Sequence, residues 1–342
     1  MAHLRALALG LAAVAICQPA VAQEWSARVG GYFKGGVGYI DADQSGNDLG
    51  LVREAEIHFR FQSAADNGLT FGTYFELDVA DASSDGSSSF DEANLFVSGD
   101  FGRIEIGEQD GAGDQLTLTP AGCSVSCSAE VDGFLFDWYS DDTNLNLIND
   151  GADSSDDLKV TYLTPTLGAG AFTARAGISW APTTEDNGVA TSLDASKEEN
   201  FIELGLRGGV DLSGIIGHEA DLGFSGAFFD GDSFDDPSYV FASNLSARGV
   251  GLGARYSYRN PNGEEEDSLS VGAQYEGGPW GFFANYTTIL DSTVRTEDDW
   301  GVNFEVDYRL APGVTAAGIV EFGDATGAGE SAAVGGVLYL NF

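Results

Sequence analysis

Ala332-Ala333-Val334-Gly335-Gly336-Val337-Leu338-Tyr339-Leu340-Asn341-Phe342 is the stretch on which the fold turns. Read with the two-residue period of a strand, it sets Val334, Gly336, Leu338, Leu340 and Phe342 on one face. Gly335, Val337, Tyr339 and Asn341 fall on the other. A very acidic protein in water gains little from a bare apolar edge, because such an edge invites pairing with other chains. In a membrane barrel the same strand closes the sheet against the first strand and turns its apolar face to lipid. An antiparallel sandwich could end this way too, so the rest of the chain decides.

At the other end, Met1–Ala22 carries Arg5, an apolar run from Ala6 to Cys17, and Pro19-Ala20-Val21-Ala22. A positive segment, a short apolar segment and a small-residue cleavage motif make an export signal. The expectation is cleavage after Ala22, leaving Gln23–Phe342. No later segment supplies the roughly 18 consecutive apolar residues of a spanning helix. A helical membrane protein is thereby excluded, and an exported soluble protein or an outer-membrane barrel remains, since barrel strands give a weak hydropathy signal.

The formal net charge is −39. Loss of Arg5 with the leader makes the exported chain one charge more acidic. Phosphate backbones need a basic face, so nucleic acid is not an expected partner. An acidic surface suits a solvated exterior in salty water or a site that gathers cations. The 47 glycines show no Gly-X-Y period, which excludes a collagen-like chain, and fit closely approaching, curved strands. Cys17 leaves with the leader. Cys123 and Cys127 remain, an even pair in an exported chain, and a small disulfide loop is expected between them. A metal site there would need further ligands, and that region holds no histidine.

From Trp25 onward the chain alternates in segments of about ten residues, the length a tilted strand needs to cross a bilayer. Val29, Phe33 and Val37 oppose Arg28 and Lys34. Ala55, Ile57, Phe59 and Phe61 oppose Glu54, Glu56, His58, Arg60 and Gln62. Phe71, Phe75, Leu77 and Val79 oppose Tyr74, Glu76 and Asp78. Trp300, Val302, Phe304, Val306 and Tyr308 oppose Asn303, Glu305, Asp307 and Arg309. Strands are predicted to start near Trp25, Gly50, Leu69, Phe90, Arg103, Leu158, Ala171, Phe201, Glu219, Tyr239, Val250, Ser268, Trp280, Trp300, Val314 and Ala332. The total is even, as bacterial single-chain barrels require.

The connections alternate in kind. Brief turns are expected at Ala64–Gly68, Gly99–Gly102, Pro165–Gly170, Leu212–Gly217, Ser246–Gly249, Gly277–Pro279 and Ala311–Gly313. Between them stand acidic loops at Asp41–Asp48, Asp81–Ser89, Pro182–Asn200, Asp230–Ser238, Asn260–Asp267, Asp291–Asp299 and Gly323–Glu330. Short turns at one end and longer loops at the other are the two faces of an outer-membrane barrel. Trp25, Tyr39, Trp180, Trp280, Trp300 and Tyr308 stand where interfacial aromatic girdles belong. One connection, Glu108–Asp157, breaks the rhythm. It holds the cysteine pair, an apolar patch (Phe134, Leu135, Phe136, Trp138, Tyr139) and many acids. A loop this long is usually functional, and its aromatics need a dry surface. The inner wall of the barrel offers one, while an external lid or subunit contact is the alternative.

Gly99-Asp100-Phe101-Gly102-Arg103-Ile104-Glu105-Ile106-Gly107 resembles the hairpin that precedes the constriction loop of general porins. Val160-Thr161-Tyr162-Leu163-Thr164-Pro165 with Gly168 resembles the hairpin that follows it, and the last strand with Phe342 resembles the signal read by the barrel-assembly machinery. In this order, over the whole exported chain, these features resemble the general diffusion porins of Gram-negative bacteria, most of all the alphaproteobacterial (Rhodobacter-type) branch. The resemblance implies an all-β, sixteen-stranded antiparallel barrel and a homotrimer in outer-membrane lipid and lipopolysaccharide. It implies passive diffusion of small hydrophilic solutes, and no cofactor, with calcium possible in the eyelet or loops. It also implies that the third extracellular loop, 108–157, folds inward so that its carboxylates face a basic wall.

On this reading the basic wall is Arg28, Lys34, His58, Arg60 and Arg103. The acidic side is Glu76, Asp78, Asp110, Asp114, Glu130, Asp132 and Asp137. Acids outnumber bases at the inward positions, so cation preference is expected. A substrate-specific porin on the same fold is the nearest alternative. A surface calcium-binding β protein, such as a lectin or adhesin, is another, because Asp41–Asp48, Asp81–Asp85 and Ser140–Asp157 are rich in oxygen ligands. An enzyme is not expected: no Gly-x-Ser-x-Gly elbow stands out, and His58 and His218 are the only histidines after the leader.

Overall fold

The structure, a computed structural model, describes residues 24–42, 46–80, 89–125, 154, 156–183, 199–232, 234, 236–260, 265–293, 299–326 and 329–342. The strands are β1 (Ser26–Ala42), β2 (Gly46–Ala64), β3 (Thr70–Ala80), β4 (Ser89–Gly99), β5 (Gly102–Glu108), β6 (Leu158–Leu163) and β7 (Leu167–Ala169). They continue as β8 (Phe172–Thr183), β9 (Glu199–Asp211), β10 (Ala220–Asp230), β11 (Ser238–Ala247), β12 (Val250–Arg259) and β13 (Glu266–Gly277). The last four are β14 (Trp280–Ser292), β15 (Trp300–Ala311), β16 (Val314–Ala325) and β17 (Gly329–Asn341). Two short helices, α1 (Ala112–Leu116) and α2 (Ser213–Ile216), lie in connections.

Neighbouring strands pair antiparallel around a single sheet, and β17 pairs with β1 from Tyr32↔Asn341 to Ala42↔Ser331, so the sheet closes. Phe342 completes the seam: its N–H donates to the Gly31 carbonyl at 3.1 Å, and the Gly31 N–H donates to the Phe342 carbonyl at 3.0 Å. Closure satisfies the backbone groups that an edge would leave bare in lipid. β6 and β7 both pair with β8 and are two pieces of one stave, so the barrel has sixteen staves. The interruption lies at Thr164–Thr166, where Pro165 has no N–H to give the ladder. The expected turn at Pro165–Gly170 is therefore corrected: the stave runs on through β7, and the reversal comes at Gly170–Ala171.

Two expected loops are also smaller than predicted. β1 and β2 continue into the stretch 41–48, with Asp41 opposite Asn47. β16 and β17 continue into 323–330, with Asp324 opposite Glu330. Short polar side chains looked like loop punctuation there, yet at a barrel rim they extend a ladder as readily as they end one.

The apolar face of every strand points outward. Val29, Phe33, Leu51, Leu95, Ile106, Ile178, Leu204, Phe241, Phe304 and Leu338 all stand exposed, Leu51 at 80%. Left in water they would form a hydrophobic belt far beyond what a soluble monomer carries. In hydrocarbon each such side chain is stabilised by roughly 1.5–3 kcal/mol. An 11-residue strand such as β3 or β10 spans about 25 Å of bilayer at a rise of ~3.3 Å and a tilt of ~45°. Trp25, Tyr39, Trp180, Trp280 and Tyr308 face outward among the exposed side chains. Trp280 stacks edge-on against Tyr308 at 4.6 Å near the short turns, and Tyr286 lies parallel to Trp300 at 6.5 Å near the long loops. No helix among the described residues is long and apolar enough to cross a membrane.

Candidate functional site: the lining of the barrel

The inward positions are the polar ones. On β9, Leu204 and Leu206 face out while Glu203, Gly205 and Arg207 face in. On β15, Phe304 and Val306 face out while Asn303, Glu305 and Asp307 face in. The chain after β5 follows this lining. The Ala112 N–H donates to Ser179 Oγ at 2.6 Å, Gly113 N–H to Glu203 Oε2 at 3.0 Å, and Leu118 N–H to Ser225 Oγ at 2.9 Å. Ala121 N–H donates to Asn244 Oδ1 at 3.0 Å, Gly122 N–H to Gln274 Oε1 at 3.2 Å, and Val125 N–H to Glu305 Oε1 at 2.8 Å. The acceptors sit on β8, β9, β10, β11, β13 and β15 in turn. Val125 ends this run in a buried cluster with Ile40, Val52, Ile319 and Val337. Glycines make the approach possible: a Cβ on Gly272 would lie 1.5 Å from the Ala121 carbonyl oxygen, and one on Gly205 2.1 Å from that of Ala112.

Asp110 and Asp114 flank the start of this run. The Asp110 N–H donates to Glu92 Oε1 at 3.2 Å, and Gln115 Nε2 donates to Glu105 Oε2 at 3.0 Å. Burial pushes the Asp110 carboxyl up to about 9, with repulsion from Asp114 and Glu92 adding to it. Burial also raises Asp114, against the pull of Arg255, and lifts Asp156 to about 7, with Asp91 contributing. Oxygens of Glu92, Asp110 and Asp156 lie within 4.8 Å of one another, an all-oxygen set that a hard cation would accept.

The predicted basic residues lie on the lining strands β1, β2 and β5. Lys34 Nζ is 3.0 Å from Glu54 Oε1. His58 lies between Glu56 and Glu76, and Arg103 pairs with Glu105 while stacking over Phe96 at 3.7 Å. Arg28 and Arg60 are cross-strand partners near the turn end, both exposed, with Arg60 5.4 Å from the Tyr74 ring centre. Asp78 stands across from Glu56. On β1–β5 antiparallel register sets these bases beside acids. Glu130, Asp132, Asp137 and Cys127 lie outside the described residues; Cys123 precedes Ser124, whose hydroxyl donates to Asp307 Oδ2 at 2.7 Å.

Several lining residues went unnoticed in the sequence. Lys159, buried at 1% exposure, donates to the Gln109 carbonyl at 2.5 Å. Arg175 and Arg207 are cross-strand partners on β8 and β9, in a cavity shared with Gln115 and Asp221. Arg259 pairs with Glu266 at 2.7 Å, and Glu321 accepts from Asn303 Nδ2 at 3.1 Å. The signal was available: each stands at the polar phase of an alternating strand.

A family model described as Gram-negative porin matches residues 6–328. Among solved structures, a loop-deletion mutant of OmpT, an outer membrane protein of Vibrio cholerae, is similar at 14% identity and a TM-score of 0.61, over 94% of this chain and 100% of that one. A mutant of Rhodopseudomonas blastica porin is similar at 15% identity and a TM-score of 0.60, over 93% of this chain and 100% of that one. Another Rh. blastica porin mutant aligns at 16% identity with a TM-score of 0.60 over the same shares. No curated protein matches by sequence. With a closed sixteen-stave barrel, an apolar exterior, a polar lining and a family match over nearly its whole length, the chain belongs to the Gram-negative porins.

Proposed function

We propose that this outer-membrane porin conducts ions and small hydrophilic solutes passively and prefers cations. The observation that carries the preference is the excess of acids over bases on the lining strands. Lys34, Arg103 and Arg259 each sit against a carboxylate, and Glu56, Glu76, Asp78, Glu92, Glu203 and Asp221 stand on the same lining. Residual lining charge is therefore negative, and low-dielectric walls focus its field on the ion path. The loop 108–157 narrows the lumen from within on this reading, with Asp110 and Asp114 on its acidic side. A disulfide Cys123–Cys127 shapes the loop beyond Ser124, and calcium, if taken up, is held by Glu92, Asp110 and Asp156.

The chain is exported by Met1–Ala22, inserted by the barrel-assembly machinery through its last strand, and assembled as a homotrimer in lipid and lipopolysaccharide. Support for the trimer is the pairing of Gly318 with Gly336 on the outward face of β16 and β17, with Ala316 and Ala332 on the same face opposite Leu338 and Phe322. Single-channel conductance of the purified chain, with and without calcium, tests these points together. Stepwise insertion in threes and a calcium-sensitive conductance are expected; an absence of pores overturns the reading.

A substrate-specific porin has one observation in its favour, the Arg175–Arg207 pair in its cavity, which suits a carboxylate or phosphate on a solute. Block of the cation current by a small organic anion, relieved in Arg207→Gln, would select that reading.

A further inference from the structure

We propose that Glu56, His58 and Glu76 form a binding site for a borderline transition-metal dication, of which zinc is the type, on the inner wall of the barrel. Glu56 and His58 are successive inward residues of β2, and Glu76 on β3 is the cross-strand partner of His58. One carboxylate oxygen from each glutamate and one ring nitrogen lie within 4.8 Å of one another. His58 Nε2 is 3.1 Å from Glu56 Oε2 and 3.4 Å from Glu76 Oε2. A tetrahedral zinc with bonds of about 2.0–2.1 Å holds its ligand atoms about 3.3 Å apart, so the two edges from His58 to the carboxylates already have that length, and the third lies within 4.8 Å. The single ring nitrogen faces two carboxylates. Its one proton cannot serve both along a straight line, whereas a dication between the three serves all of them.

The surroundings hold these ligands in place. The Tyr32 hydroxyl donates to the other oxygen of Glu56, and the Tyr74 hydroxyl donates to Glu76 Oε2 at 2.5 Å. The His58 ring packs edge-on between Tyr32 at 6.4 Å and Tyr74 at 5.8 Å. Outer contacts of this kind orient first ligands and set their basicity. The side chains of His58, Glu56 and Glu76 are 33%, 22% and 14% exposed, which leaves an approach from the lumen and room for a water as fourth ligand. One imidazole with two carboxylates favours zinc, cobalt, nickel or copper(II). Calcium asks for six to eight oxygens at longer distances. Among the described residues the other histidine, His218, lies exposed at a turn near Glu219.

Calorimetric titration of Zn2+ into the full chain, folded in detergent, tests the site without reference to conduction. Saturable binding is expected, weakened at least tenfold in His58→Gln and in Glu76→Gln, weakened about tenfold in Tyr74→Phe, unchanged in His218→Gln, and not displaced by equal Ca2+. Heat-modifiable migration in a gel verifies that each variant is a folded barrel, and Tyr74→Phe keeps the ligands should the others fail to fold. Absence of saturable binding, binding untouched by His58→Gln, loss of binding in Cys123→Ser, or displacement by Ca2+ each overturns the proposal. A second arm rests on the channel reading: bound zinc adds positive charge beside the ion path and shifts the reversal potential toward anions. Zinc binding with no such shift leaves the site standing and counts against this wall lining the ion path.

Discussion

Gly272→Ala is the sharpest probe of how the chain after β5 lies against the wall. The added Cβ would stand 1.5 Å from the Ala121 carbonyl oxygen, about 2 Å short of ordinary contact. The opposing atom is backbone, so no flexible side chain can swing away. Pro120–Gly122 has to lift off the wall, and three hydrogen bonds go with it: Ala121 N–H to Asn244, Gly122 N–H to Gln274, and Asn244 Nδ2 to the Thr119 carbonyl. At about 0.5–1.5 kcal/mol each, the loss is on the order of 3 kcal/mol. The segment stays tethered on both sides, by Leu118 on Ser225 and by Val125 on Glu305, so it bulges toward the lumen instead of releasing. Single-channel conductance should fall and the temperature of barrel unfolding should drop. Gly214→Ala, on the short helix α2, is the control, because a Cβ there meets nothing within 4 Å, and it should change neither quantity. A Gly272→Ala protein with wild-type conductance and wild-type heat stability would refute this path for residues 119–122.

Four further outcomes rest on the lining and the seam. Raised carboxyls at Asp156, about 7, and Asp110, about 9, are protonated in the fold below those values, so cation permeability relative to chloride should climb as pH rises from about 6 to 10. Asp110→Asn should remove the upper part of that climb. The same raised values favour the folded state at low pH and oppose it as pH passes through them, so the denaturation midpoint of Asp110→Asn should decline less between pH 7 and 10 than that of the wild type. Lys34→Ala leaves Glu54 without its 3.0 Å partner and should raise cation preference in bilayer recordings, with the reverse shift counting against the pairing account. Removal of Phe342 deletes both hydrogen bonds to Gly31; the yield of folded barrel should drop while the conductance of what does insert stays at the wild-type value.

Much of the architecture was legible because a barrel wall is written in a two-residue period. Predicted starts at Leu158, Val250, Trp280, Trp300 and Val314 coincide with observed first residues. The largest offsets, at β2 and β17, fall where strands run on into rim residues that read as loop. The lining was less legible, since alternation tells which face a side chain takes but not what stands beside it. Lys34 and Glu54 are twenty residues apart, and only the position of the hairpin between Ala42 and Gly46 makes them neighbours. A hairpin placed at Asp41–Asp48 leaves the register open, and with it the pairing of every base on β1 and β2. Arg175, Arg207 and Glu203 were hidden for a different reason: alternation marks them as inward, but only the closed barrel carries β8 and β9 round to meet Gly113 and Gln115.

On the proposed function, a negatively charged lining makes this porin prefer cations. Reversal potentials of the purified barrel in a planar bilayer under a potassium chloride gradient test it most directly. A potential of the sign set by potassium, growing as pH is raised from 6 to 10, is expected. A potential of the sign set by chloride would contradict it.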